Sequence, residues 1–176
     1  DREAQESGRD KPVVRKALGT VYADRQLWAP AIAQLKLALQ LQPDDLETST
    51  RLVDCYDAQG DRQAAIGQLL ALLEINPRDM EVCKDLARQY RTMGRTADVE
   101  RAYTSIVELL PHEAEGHAEL ATIREDQDRW QDAALQWQQV AHIRRLEPTG
   151  LLGLADAQIQ LKQWDAARET IATLRS

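Results

Sequence analysis

Residues 16–43 read KALGTVYADRQLWAPAIAQLKLALQLQP. Leu18, Gly19 and Tyr22 in this stretch fall on one stripe of a helix, at the three- and four-residue steps of an amphipathic face. Ala31, Leu35 and Ala38 form the facing stripe of a second helix, and Pro43 closes it. The pattern recurs along the chain. Pro43, Pro77 and Pro111 lie 34 residues apart, and so do Tyr22, Tyr56 and Tyr90. Leu18, Leu52, Leu86, Leu120 and Leu154 share a second column. Ala31, Ala65, Val99, Ala133 and Ala167 make a third, and Leu35, Leu69, Tyr103, Trp137 and Ile171 a fourth. A register kept this long without an insertion is the mark of a repeat array.

The pattern resembles the tetratricopeptide repeat, whose 34-residue helix–turn–helix unit carries Leu-Gly-x-x-Tyr, a later Ala, an aromatic residue and a closing Pro. Leu18-Gly19-Thr20-Val21-Tyr22, followed by Ala31, Leu35, Ala38 and Pro43, is a near match. The resemblance implies an all-α, right-handed α-solenoid of five units, at 12–45, 46–79, 80–113, 114–147 and 148–176. Residues 1–11 are left as a polar N-terminal extension or the tail of an upstream helix. Because the chain opens at Asp1 without an initiator Met, we expect it to be a piece of a longer protein.

Each column has a physical reason. Column 8 (Gly19, Val53, Ala87, Ala121, Ala155) is mostly small, so the two helices of a unit can approach closely, and the Ala of column 20 does the same from the other side. Column 15 holds Gly60 and Gly94 where the turn needs a positive φ. Gln26, Asp128 and Lys162 stand there in the other repeats and should cost stability. Repeat four carries Arg145 in the Pro column, and Pro148 instead suits the first turn of the next helix.

Composition limits function. The chain has 29 Asp and Glu against 22 Lys and Arg, which argues against a nucleic-acid or anionic-membrane surface. No apolar run approaches the roughly 18 residues of a membrane span. Cys55 and Cys83 lie inside expected helices without metal-site spacing and read as buried free thiols. Ala, Leu, Gln, Glu and Arg dominate, all good helix formers, and no alternating strand pattern of useful length appears.

Catalytic and cofactor motifs are missing. GxxxxGK and GxGxxG are absent, and none of Ser7, Ser49, Ser105 and Ser176 sits in a GxSxG elbow. We therefore expect no enzyme, no cofactor and no metal. His112 and His117 are five residues apart across Pro111, not the four that one helical face needs to bind a metal, and His117 reads as a core histidine. Trp28, Trp130 and Trp164 at column 17, and Trp137 at column 24, read as packing residues rather than a binding surface.

The resemblance also implies a working surface. In the tetratricopeptide family, columns 2, 5, 9, 12 and 13 of each first helix face a concave groove and touch the ligand. These columns make Lys16, Thr20, Asp54, Asp57, Lys84, Arg88, Arg91, Thr122, Glu125, Asp126, Leu152, Asp156 and Ile159 the candidate peptide-binding residues. Lys84, Arg88 and Arg91 form a cationic stripe flanked by Asp54 and Asp57 before it and Glu125 and Asp126 after it. Leu152 and Ile159 add an apolar end. A matching ligand is a peptide with an acidic anchor and an apolar end, since Arg favours bidentate carboxylate contact. The alternative is that neighbouring carboxylates simply neutralise the stripe.

Two specialised uses of the family do not fit. The carboxylate clamp of chaperone-binding members is met by Lys16 but not by Thr20, Arg51, Glu81 or Asp85. The asparagine ladder of sugar-transferase members is replaced by Ala17, Arg51, Asp85, Glu119 and Gly153. The expected role is a scaffold or adaptor binding a protein or peptide segment. Two alternatives stay open: self-association through repeat five, giving a homodimer, and service as the regulatory or targeting domain of a larger enzyme. The short, insertion-free repeats suggest a bacterial source, and the compartment, cytoplasmic or periplasmic, stays open.

Overall fold

Asp45, Asp61 and Asp79 each stand just before an apolar helical pattern, where a short carboxylate can accept from the first free backbone N–H groups. The computed structural model, which describes residues 11–174, uses all three this way. Asp45 accepts from the Thr48 N–H at 3.1 Å, Asp61 from Ala64 at 3.1 Å and Asp79 from Val82 at 3.2 Å. Ten helices follow one another among the described residues: α1 (Pro12–Asp24), α2 (Trp28–Leu41), α3 (Leu46–Gln59), α4 (Arg62–Ile75), α5 (Met80–Thr92), α6 (Thr96–Leu109), α7 (Ala114–Glu125), α8 (Trp130–Ile143), α9 (Thr149–Gln160) and α10 (Trp164–Thr173). No strand occurs among those residues. The fold is an all-α solenoid of helix–turn–helix repeats. The expected N-terminal extension lies, except for Lys11, outside the described residues.

The turn inside every repeat is built the same way. The column-16 N–H bonds back to the column-11 carbonyl: Leu27 to Tyr22, Asp61 to Tyr56, Arg95 to Tyr90, Arg129 to Arg124 and Gln163 to Gln158, all at 2.8–2.9 Å. This six-residue ring needs a left-handed residue at column 15. Gly60 (φ 83°) and Gly94 (φ 68°) supply it freely, whereas Gln26 (φ 59°), Asp128 (φ 57°) and Lys162 (φ 60°) are forced into it. A side chain there costs about 1–2 kcal/mol, less for Asp, and glycine returns part of the gain as unfolded-state entropy. Replacing all three by Gly should therefore stabilise the fold by about 1–2 kcal/mol, a rise of roughly 3–6 °C in Tm. Thermal unfolding followed by circular dichroism checks it, and an unchanged or lower Tm counts against the strain.

Between repeats the prolines act on the residue before them. Gln42, Asn76 and Leu110 leave the helical region (φ −141°, −131° and −132°, with ψ 86°, 87° and 66°), since a following Pro disfavours helical backbone, and the helix stops. Arg144 adopts a similar bend (φ −107°, ψ 65°) with Arg145 after it instead of Pro. Pro148 has helical backbone angles and stands at the N-cap, one residue ahead of α9.

The chain divides within α5, between Gln89 and Tyr90, into two compact bodies. In the first, α1 packs on α2, α2 on α3 and α3 on α4. Its core joins Ala23, Ala31, Leu35, Leu52 and Cys55, with Tyr22, Trp28 and Tyr56 against them. In the second, α6 packs on α7, α7 on α8, α8 on α9 and α9 on α10. Its core is Ala114, Ala121, Trp137, Val140 and Ala157, with Trp130, Ile143 and Leu154 alongside.

The small columns behave as expected. All five residues of column 8 and all five of column 20 are buried. Cys55 and Cys83 are buried free thiols, and burial pushes both above the usual thiol range. His117 is buried with Nε2 3.2 Å from the Pro111 carbonyl and Nδ1 2.7 Å from Oε1 of Gln136. That carbonyl can only accept, so Nε2 carries the proton. The Gln136 amide, turned over, then supplies a donor to Nδ1.

Two packing columns depart at the ends of the described chain: Leu18 is 40% exposed and Ile171 38%, although their counterparts in repeats two to four are buried. Trp164, 55% exposed, stands in a column where Arg62 and Thr96 are exposed as well. Trp164 thus corrects the reading of all four tryptophans as packing residues. Burial of these columns comes from the neighbouring repeat, and α1 and α10 are the first and last described helices.

Candidate functional site

The inward columns of the first helices place charge in pairs. Lys16 on α1 reaches Asp45 at 3.0 Å and Glu47 at 2.7 Å, and these carboxylates, Glu47 foremost, hold its ammonium above the usual range. Thr20 is half-buried, and Ala23, an expected groove residue, is instead in the core. Asp57 on α3 accepts two contacts from the Gln89 side-chain amide, at 2.7 and 2.8 Å. Burial pushes the carboxyls of Asp54 and Asp57 up, and the Asp85 charge adds to both.

Each member of the cationic stripe on α5 has a carboxylate partner. Lys84 reaches Glu81 at 3.2 Å, Arg88 pairs with Asp85, and Arg91 reaches Glu119 at 2.7 Å. The Arg91 guanidinium also lies 6.0 Å from the centre of the Tyr103 ring. Arg88 and Arg91 remain exposed, and ion pairs of this kind contribute only about 0–1 kcal/mol each, so the partners can be exchanged.

In the second body the inward faces enclose a cavity of about 390 Å3 lined by Arg91, Thr96, Val99, Glu119, Thr122, Ile123 and Asp126. Three of the residues expected from the sequence, Arg91, Thr122 and Asp126, meet here. Thr122 donates to the Ala118 carbonyl at 3.1 Å, which leaves its oxygen able to accept from a ligand. Val99 and Ile123 are buried and form an apolar floor. Leu152 and Ile159 are exposed, at 56% and 38%, but do not line this cavity.

Sequence reasoning missed four lining residues. Thr96 and Val99 sit at columns 17 and 20 of a second helix, outside the inward columns of the first. Glu119 stands at column 6, outside the inward columns, and its use follows from Arg91 one repeat earlier. Ile123 at column 10 becomes a floor because α6 packs on α7. The wall is fixed by Glu100 on α6, which accepts from Arg129 at 2.8 Å, Gln127 at 3.3 Å and Arg124 at 3.5 Å. Burial alone would push Glu100 up, and these donors together hold it below the usual range.

Beyond the cavity edge, Glu125 accepts from the Trp137 indole N–H at 2.5 Å. Burial pushes its carboxyl up, the indole contact opposes this, and the charges of Asp156 and Asp126 push it further. The ionised form is thus disfavoured in the fold relative to the unfolded chain. That penalty is fully present above the folded range of Glu125 and disappears below the ordinary value of about 4.3. Glu125→Gln keeps an acceptor for Trp137 and removes the charge. We expect the variant to be more stable than wild type at pH 7 and the gap to close towards pH 4. Melting temperatures at both pH values test this, and an equal gap at both would rule out the charge as the cause.

The tetratricopeptide-repeat family model matches residues 23–90. Residues 23–90 carry tetratricopeptide repeats. Solved structures agree along nearly the whole length of the chain. A crystal structure of MamA is 16% identical with a TM-score of 0.67, covering 94% of this chain and 90% of that one. A tetratricopeptide repeat protein from Parabacteroides merdae is also 16% identical, with a TM-score of 0.68. It matches 93% of this chain, which spans 65% of that protein. MamA from Desulfovibrio magneticus RS-1 is 14% identical at a TM-score of 0.62, with 94% of each chain covered. No curated protein matches the sequence. At these identities the likeness is one of fold, and it singles out no particular member of the tetratricopeptide family.

Tetratricopeptide-repeat proteins are in general scaffolds for protein–protein interaction rather than enzymes, and the fold supports that general role. Among the described residues no group of His, Cys, Asp and Glu is placed to hold a metal ion, and no helix is long and apolar enough to cross a membrane.

Proposed function

We propose that this tetratricopeptide array is an adaptor that holds an extended or helical segment of another protein against the inward faces of its first helices. The observation that carries the reading is the cavity on the second body, where Arg91, Thr122 and Asp126, chosen by column alone, share one surface. The exposed cation Arg88 of α5 anchors a ligand carboxylate by exchanging it for Asp85. Exposed Leu152 and Ile159, one α9 face apart by two turns, take an apolar residue. Contacts of this kind weaken with salt.

Capture from a lysate of the source organism tests the reading, with wild type beside the Arg88→Glu, Arg91→Glu double variant. Circular dichroism should first establish that both fold. We expect at least one partner that wild type captures at low salt to be lost by the variant. The same partners in both lanes would remove the α5 cations from the working surface.

A second reading is favoured by Trp164 and Ile171, apolar residues of α10 that lie open. They form a surface a second copy could cover. Light scattering that shows one monomer mass across a concentration series would eliminate it.

A further inference from the structure

The cavity on the second body carries more negative charge than its own cations can meet. Glu119 is satisfied by Arg91 at 2.7 Å. Asp126 lines the same cavity, and it and Asp156 lie close enough to Glu125 for both charges to act on it. Among the described residues neither Asp126 nor Asp156 has an ion-pair partner. The nearby cations of this body are already engaged: Arg95 with Asp98, Arg124 with Glu100, and Arg129 with Glu100 and Asp132.

A ligand carboxylate entering here would have to displace Glu119 from Arg91, leaving that carboxylate unpaired beside Asp126. A ligand cation displaces nothing. Val99 and Ile123, both buried, offer an apolar floor for an aliphatic stem. Lys and Arg lay such stems along apolar surface while keeping the charge at the rim.

We propose that this cavity takes a lysine or arginine side chain of a protein ligand, its stem on Val99 and Ile123 and its charge against Asp126, with Asp156, outside the lining, adding to the local negative charge. This rests on the adaptor reading and adds the sign of the charge at one place.

The test uses four pools of fluorescein-labelled nonapeptides. The fifth residue is fixed as Arg, Lys, Ala or Glu, and the other positions are equimolar mixtures. Retention is measured on the immobilised chain, on Asp126→Asn with Asp156→Asn, and on a control, Glu108→Gln with Asp165→Asn, which changes net charge equally on exposed positions outside the cavity. The Arg and Lys pools should be retained about tenfold better than the Ala pool, as two exposed charge contacts allow. That excess should vanish in the Asp126, Asp156 variant and persist in the control. An excess that survives in the cavity variant, or falls equally in both, overturns the proposal. So does capture of the Glu or Ala pools with no preference for Arg or Lys, an outcome that leaves the adaptor reading standing. If no pool is held above an albumin-coated surface, the adaptor reading falls with it.

Discussion

Trp137→Ala is expected to cost the fold about 3–5 kcal/mol, the range for removing a large buried aromatic side chain. The ring is only 8% exposed, and its core joins Ala114, Ala121 and Ala157 to the larger Val140, Trp130, Ile143 and Leu154. The alanine methyls cannot move in to fill a missing indole, and the larger side chains can close only part of the cavity. The substitution also strips Glu125 of its indole donor. Trp137→Phe keeps most of the volume and loses only the N–H, so it should cost much less, about 1–2 kcal/mol. Trp164→Ala, at a site 55% exposed, should cost less again. Urea unfolding of the three variants gives the order. A Trp137→Ala cost no larger than that of Trp164→Ala would mean that the ring does not hold this core together.

The second large effect is expected at Gly150. A Cβ there would stand 2.3 Å from the Ala141 nitrogen, 2.6 Å from its Cα and 2.8 Å from the Val140 carbonyl carbon. All three are backbone atoms of α8, which no rotamer change can move. Alanine must therefore push α9 away from α8, and the loss should be about 2–3 kcal/mol, even though alanine is the better helix former by about 1 kcal/mol. Gly150→Val should cost more. Gly67, in the middle of α4, is the control: its Cβ would meet nothing within 4 Å, so Gly67→Ala should stabilise by up to about 1 kcal/mol. Equal effects at the two glycines would show that the close approach of α8 and α9 is not needed.

Gly153 extends the same reasoning. Its Cβ would fall 2.3 Å from the ring atoms of Trp137. Column 6 holds Ala17, Arg51, Asp85 and Glu119 elsewhere, and the column-24 residue one repeat earlier is smaller than Trp in each case that exists: Leu35, Leu69 and Tyr103. The large ring in repeat four and the missing side chain in repeat five compensate each other.

By itself the sequence determined the repeat length, the small columns 8 and 20 and the left-handed turn at column 15. Each of these rests on a rule that one repeat obeys alone. A helix pair needs small residues where its axes approach, and a six-residue turn needs a positive φ whichever side chain is present. The candidate surface was legible only as columns: Arg91, Thr122 and Asp126 meet in one cavity, but Glu119, Thr96, Val99 and Ile123 were not foreseen there. The tertiary structure alone decided the rest. It paired each α5 cation with a carboxylate, committed Asp57 to Gln89, fitted Trp137 against Gly153 and left Leu18, Trp164 and Ile171 open. The physical reason is the same throughout. Such contacts depend on which residue the next repeat presents, and a column rule written for one repeat holds no information about its neighbour.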